Sequence, residues 1–386
     1  MPFGPICCIC IGPMKTEVVK LDAGNIDAVK IEEAAALVDN GGLVAFPTET
    51  VYGIACRAQS DSLARLTDLK GRTADKHFTV HIGHRDDINR YVPIIGLKAQ
   101  KLIRNAWPGP LTIVFELDAD EIAKQQNNFE RSVFESLYKH DSIGIRCPDH
   151  AVASMLLRQT SNPVVAPSAN TAGKPPAVDA DQVLAQFSDQ IEMLLDGGPT
   201  THKKSSTVVK MGKKGLEMLR PGVYSQEELQ AWSQIKFLFV CTGNTCRSPM
   251  AEGIFRKYLA EKAGCNVDDL ERIGYKVGSA GTIGSAGFPA TTEAVAACAA
   301  KGIDISAHRN KGLSRELIEG SDFIFVMEQV QRQRIVALEP KAASTCLLLA
   351  GSKEIPDPIG HSQEFYNSCA NMIERAVKKR IGELVI

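Results

Sequence analysis

Two periods of apolar and polar residues alternate along this chain. IDAVKIEEAAALVDNGG, residues 26–42, sets apolar positions at helical spacing and ends in glycines, which predicts a helix with a stop signal. LVAFPTETVYGIA then reads as a strand broken by a Pro-Thr turn. SIGIRCP and NPVVAPSAN read as short apolar strands running into small polar residues, and SSTVVKM and LEMLRPG as a closing pair of strands. SQEELQAWSQ is polar with helical spacing and leads into new material. That part opens on IKFLFV, which has the character of a buried parallel strand, and passes through CTGNTCR into SPMAEGIFRKYLAEKAG. In the last segment Met250, Ile254, Phe255, Tyr258 and Leu259 fall on one helical face. STCLLLAG predicts a later strand.

Strands and helices that alternate throughout predict α/β architecture, and 386 residues exceed one ordinary core. The expected organisation is a disordered extension over 1–19, a domain over 20–225, a linker over 226–235 and a second domain over 236–386. Hydrophobic residues at 44% and charged residues at 23% fit a soluble globular protein. A formal net charge of −1 gives no strong field for nucleic acid, so any RNA contact is confined to a local patch. The 11 cysteines are scattered, without the paired spacing of a zinc site, which suits a reducing cytosol and predicts no metal held by side chains in the catalytic sites. PFGPICCICIGP is too short to span a bilayer and has no basic residue ahead of it; a metal-binding cluster of Cys7, Cys8 and Cys10 is the less favoured reading of it. A cytoplasmic protein with no membrane partner is expected.

The clearest chemistry lies between Cys241 and Arg247, a C-x5-R loop set between a predicted strand and a predicted helix. A loop of that length turns successive backbone N–H groups inward and makes a nest for a tetrahedral oxyanion. Helix-terminal charge and Arg247 are expected to lower the Cys241 pKa so that it attacks as thiolate. Arg247 is placed to fork onto two phosphoryl oxygens, and Ser248 to donate to the sulfur. Gly243 removes side-chain bulk from the loop, and Asn244 tolerates a left-handed backbone. Thr242, Thr245 and Cys246 complete the phosphate-binding loop. Protonation of a leaving group needs an acid, and Asp357 in EIPDPIGH is the candidate.

With VCTGNTCRSPMAE, GSAGT, GIDISAHRNKGLS, SDFIFVME and PDPIG in order, residues from about 236 onward resemble the low-molecular-weight protein-tyrosine phosphatases. The resemblance implies a doubly wound parallel sheet, a phosphocysteine intermediate on Cys241, Asp357 as acid and then base, a phosphorylated protein as substrate and no cofactor. Thr245, where tyrosine-directed members carry an aliphatic residue, is similar to the protein-arginine phosphatase branch, which implies phosphoarginine in preference to phosphotyrosine. Ile359 and Gly360 stand where paired tyrosines follow Asp-Pro in many eukaryotic members, and the arginine branch usually has an aromatic residue at 359.

No single residue declares the chemistry of the N-terminal part. PTETVYG, LKGR, WPGPLT, GIRCPDH, APSAN and KKSSTVV are polar motifs on strand ends, suited to a small anionic, hydroxyl-bearing ligand. Their order resembles the YrdC-like threonylcarbamoyl-AMP synthases over roughly residues 20–225. The resemblance implies a twisted α/β domain with a large concave cavity. It implies L-threonine, bicarbonate and ATP as substrates, with Mg²⁺ accompanying the nucleotide, and contact with tRNA only through downstream transferase proteins. By motif, Thr48 would help hold threonine, and Lys70, Arg72, Thr112, Arg146, Ser168, Asn170 and Ser206 would line the nucleotide and carboxylate region. Thr73 replaces a usual proline, and KKSSTVV lacks an acidic residue that often precedes Ser-Thr. The expected whole is a bifunctional enzyme. The alternative is an RNA- or nucleotide-binding module, double-stranded RNA included, that regulates a protein-tyrosine phosphatase.

Overall fold

The computed structural model describes residues 14–22, 24–71, 78–212, 215–284 and 286–386. The chain divides into two compact units, with the main boundary between Leu229 and Gln230. Two expected borders are corrected. Glu17–Lys20 is a strand paired in parallel with Met193–Asp196, so ordered structure begins inside the stretch assigned to an extension. The expected linker is largely the helix Gln226–Ser233, and its Leu229 is fully buried. Cys7, Cys8 and Cys10 lie outside the described residues.

The N-terminal unit is built on a mixed ten-stranded sheet. Its order is Glu17–Lys20, Met193–Asp196, Val44–Phe46, Gly53–Arg57, Val164–Val165, Thr79–His81, Ser142–Arg146, Leu111–Glu116, Thr207–Gly212 and Gly215–Arg220. The Pro-Thr turn does break a hairpin, since Val44–Phe46 and Gly53–Arg57 pair antiparallel. The helix expected at the start is Ala28–Asp39, capped by Asp27 and followed by Gly41 at φ +92°, a conformation glycine takes without strain. Its buried Ile31, Ala34, Ala35 and Val38 join a core with Val152, Ala153, Leu156 and Leu157 of the helix Ala151–Gln159. Arg146 ends the strand Ser142–Arg146 and Thr112 lies in Leu111–Glu116, whereas Thr48, Ser168 and Ser206 lie outside the strands.

The C-terminal unit has a four-stranded, all-parallel sheet in the order Tyr275–Gly281, Ile235–Cys241, Phe323–Val326 and Cys346–Leu348. Strand alternation splits IKFLFVC cleanly. Phe237, Phe239 and Cys241 enter one core with Phe255 and Ile373 of the helices Arg247–Ala263 and Gln363–Glu383, whereas Leu238 and Val240 enter another with Ile318 and Ile335. Both faces of the sheet are therefore covered, as a doubly wound fold requires. Cys241 closes the central strand, and the long helix starts six residues later.

Candidate active sites

In the C-terminal unit the strand Ile235–Cys241 ends against the loop that feeds the helix Arg247–Ala263. Asn244 holds φ +55°, which turns its own N–H back to Cys241 Sγ at 3.3 Å. Its side-chain amide donates to Ser248 Oγ and to Ser279 Oγ, each at 2.8 Å. Ser248 Oγ is 3.0 Å from Cys241 Sγ. Two outside groups fix the loop from below: Asn310 Nδ2 donates to Gly243 O at 3.1 Å, and His308 Nε2 lies 2.8 Å from Asn244 O. Gly281 is required where it stands, because a Cβ there would come within 2.9 Å of Thr242 O.

Arg247 is 1% exposed. Its Nη1 lies 2.7 Å from a Glu328 carboxylate oxygen and 3.0 Å from Ile355 O, and its Nη2 donates to Asp357 Oδ2 at 2.5 Å. Its Nε is buried and has no protein partner. A buried donor left in this way is one that an oxyanion beside Cys241 would satisfy. Asp357, held between Arg247 and the Ile359 N–H, is thereby brought to the Cys241–Arg247 loop from the far end of the sequence.

Burial pushes the Cys241 thiol up, while the Ser248 hydroxyl and backbone N–H, Arg247 and the Asn244 N–H pull it down. Cys246 meets Tyr366 Oη at 3.5 Å and the Thr291 hydroxyl at 3.7 Å, and both it and Cys241 are free thiols. Thr245 Oγ1 has Cys246 Sγ at 3.6 Å, a weak partner for a hydroxyl. Thr242 Oγ1 accepts from Gln331 Nε2 at 3.3 Å.

The N-terminal unit brings most of its expected residues to one cavity of about 210 Å³, lined by Thr48, Thr112, Arg146, Ser168 and Ser206 among others. Ser168 Oγ donates to Asn170 Oδ1 at 2.5 Å. Lys70 does not stand free: its ammonium donates to Ser168 O and, at 2.6 Å, to Asn170 O. Arg72 lies outside the described residues. Arg146 pairs with Glu49 at 2.8 Å and donates to Thr50 Oγ1 at 2.6 Å, both ion-pair partners being 5% exposed. Its Nε is buried without a partner, as in Arg247. Thr112 Oγ1 is 3.1 Å from Ser206 Oγ.

Three residues of this site carry no mark in the sequence: Arg220 and His81 in the cavity lining, and Glu49 behind it as the partner of Arg146. Arg220, an ordinary strand residue by sequence, lines the cavity, donates to Ser206 O at 2.8 Å, and has its pKa lowered by burial and by Arg146. His81, also in the lining, is pushed down to about 3 by burial and Arg146, while its Nδ1 meets Thr79 O at 3.1 Å. A carbonyl at Nδ1 leaves Nε2 as the unprotonated nitrogen. Glu49 is the counter-ion that PTETVYG conceals. Among the described residues no group of three or more His, Cys, Asp or Glu could hold a metal ion. No helix among them is long and apolar enough to cross a membrane.

Known proteins match the two units separately. The Sua5, YciO and YrdC family model, described as Telomere recombination, matches residues 36–222, and the model described as Low molecular weight phosphotyrosine protein phosphatase matches residues 236–385. A threonylcarbamoyl-AMP synthase of Pyrococcus abyssi is 33% identical over 241 residues, spanning 62% of this chain and 68% of that protein. One of Bacillus subtilis is 35% identical over 206 residues, 52% of this chain and 56% of its own length. The solved structure of P. abyssi Sua5 complexed with L-threonine is similar with a TM-score of 0.50 at 24% identity, covering 69% of this chain and 92% of that one, which concerns the fold. The chain thus belongs to the Sua5, YciO and YrdC family through its N-terminal unit, and its C-terminal unit is similar to the low-molecular-weight phosphotyrosine protein phosphatases over residues 236–385.

Proposed function

We propose that this chain is a bifunctional cytoplasmic enzyme. Its C-terminal unit removes phosphoryl groups from proteins. The thiolate of Cys241 attacks phosphorus, the bond from phosphorus to the leaving oxygen or nitrogen breaks, and Asp357 supplies the proton that the leaving group takes. Water then attacks the phosphocysteine, Asp357 takes its proton, and inorganic phosphate departs with the thiolate restored. Arg247 and the loop N–H groups hold the charge that develops on the phosphoryl oxygens. The observation that carries this reading is the buried, partnerless Nε of Arg247 beside a cysteine with Ser248 and Asn244 donors. Thr245 favours phosphoarginine, whose guanidinium can pair with a hydroxyl as a phenol ring cannot.

The N-terminal unit joins L-threonine, bicarbonate and ATP into threonylcarbamoyl-AMP, releasing pyrophosphate and water, for transfer to tRNA by other proteins. Arg146 and Arg220 supply positive charge for carboxylate or phosphate, and Thr48, Thr112, Ser168 and Ser206 supply hydroxyls in the same cavity. Mg²⁺, where it accompanies the nucleotide, would help neutralise phosphate charge.

Matched phosphoarginine and phosphotyrosine peptides, with Cys241→Ser as blank, test the first activity. Release from neither above that blank would refute it, and a preference for phosphotyrosine would refute the role of Thr245. Pyrophosphate release that requires both threonine and bicarbonate tests the second; its absence favours a binding module.

A further inference from the structure

We propose that Ile283, Phe288 and Ile359 form a docking rim that selects substrate proteins whose phosphorylated residue is flanked by apolar side chains. This rests on the phosphatase reading of the C-terminal unit. The three side chains are 52%, 61% and 62% exposed. Single exposed apolar residues need no explanation, but these are gathered by the catalytic loop itself. The Ile283 N–H donates to Thr242 O at 3.0 Å. The Phe288 N–H donates to Asn310 Oδ1 at 2.8 Å, and the same Asn310 side chain donates to Gly243 O. The Ile359 N–H donates to Asp357 Oδ1 at 3.2 Å. Ile283 and Ile359 are thus one hydrogen-bonded step from the phosphate loop or its acid, and Phe288 is two, through Asn310.

The depth of the site names the occupant. Cys241 is 2% exposed and Arg247 1%, so a phosphoryl group reaches them only when its side chain is inserted and the polypeptide on either side lies against the rim. Charge narrows the choice further. The Glu328 and Asp357 side chains are 27% and 39% exposed beside Arg247, so acidic flanking residues would meet like charge at the mouth. Apolar flanks meet three large apolar side chains instead and remove them from water.

The test compares three phosphopeptides that differ only in the residues flanking the phosphoresidue: leucine, glutamate or lysine. Each is made in phosphoarginine and phosphotyrosine form and assayed with the full chain. The leucine peptide should exceed both others by roughly tenfold in kcat/KM, the order expected from burying one large apolar side chain. Phe288→Ser should bring that ratio towards one. Equal turnover of the three peptides, or a preference for lysine flanks, would overturn the proposal. p-Nitrophenyl phosphate separates the two levels: turnover of it lost in Cys241→Ser, together with no flank preference, rejects the rim and keeps the phosphatase. No turnover of it rejects both.

Discussion

Glu328 lies 2.7 Å from Arg247 Nη1, and Arg247 is almost wholly buried. The pair joins the end of the strand Phe323–Val326 to the phosphate loop, and Gln331 extends the link by bonding both Glu328 Oε2 at 2.9 Å and Thr242 Oγ1. Glu328 therefore sets the plane of the guanidinium and leaves Nε directed away from protein acceptors. Replacing Glu328 with Gln should cost about 1.5–3 kcal/mol of stability, because a charge-assisted bond to a buried group is lost. It should also lower phosphatase kcat by about tenfold or more through a less well-aimed Arg247. Urea unfolding and steady-state kinetics check both, and an unchanged kcat would remove the positioning role.

The Cys241 thiol carries a second prediction. Burial raises it, and the first group opposing burial is Ser248. Removing that hydroxyl in Ser248→Ala should move the thiol higher still, leaving less thiolate at neutral pH. The alkylation rate of Cys241 by iodoacetamide, followed against pH, should show its midpoint displaced upward in the variant. A midpoint that stays or falls would mean the hydroxyl does not stabilise the thiolate.

How much of this was legible in the sequence differs between the two sites. Cys241 to Ser248 are eight consecutive residues, so strand, turn and helix signals place them together without tertiary information. What surrounds them was hidden. Ser279, His308 and Asn310 reach Asn244 or Gly243 across 35, 64 and 67 residues, and no periodicity marks them as loop supports. In the N-terminal unit no local run exists at all. Thr112 and Ser206 meet because Leu111–Glu116 pairs in parallel with Thr207–Gly212, a register that neither segment encodes alone. Arg220 and Glu49 look like ordinary strand and turn residues until that sheet order brings them to Ser206 and Arg146.

Glu49 and Arg146 form an ion pair from which water is largely excluded. Breaking it from the acidic side leaves a buried guanidinium without its counter-ion. Glu49→Gln is expected to destabilise the N-terminal unit by about 3–5 kcal/mol and to abolish threonine-dependent pyrophosphate release. The double variant with Arg146→Met should regain part of the stability and none of the activity. Chemical denaturation separates these, and a double variant no more stable than the single one would contradict the argument.

His81 makes the N-terminal unit acid-sensitive in a defined window. Its folded pKa is about 3, pushed down by burial and then by Arg146, against about 6.5 in an unfolded chain. Between those values the unfolded state binds the extra proton, so stability is complete above pH 6.5 and is lost as pH falls towards 3. The slope from this one group approaches about 1.4 kcal/mol per pH unit. His81→Asn keeps a donor for Thr79 O and cannot charge. Its unfolding free energy should change less than the wild type's between pH 7 and 5, and parallel profiles would show that other groups govern acid unfolding.

Gly222, in the RPG turn after Arg220, tests whether the serine motif is positioned by packing rather than by its own backbone. A Cβ at 222 would fall 2.2 Å from Thr207 N and 2.4 Å from Ser206 C, a distance no side chain tolerates. Those atoms belong to backbone, so the clash has no flexible end to relieve it. Gly222→Ala must therefore move either the turn or the start of the strand Thr207–Gly212, at a cost of about 1–3 kcal/mol. Moving that strand start displaces Ser206 from Thr112 and from Arg220, both of which it touches at 3.1 Å. The expected result is a raised KM for ATP or threonine in the pyrophosphate assay, together with lower stability. Loss of stability with unchanged KM would mean that the turn yields instead and that Ser206 holds its place through Thr112.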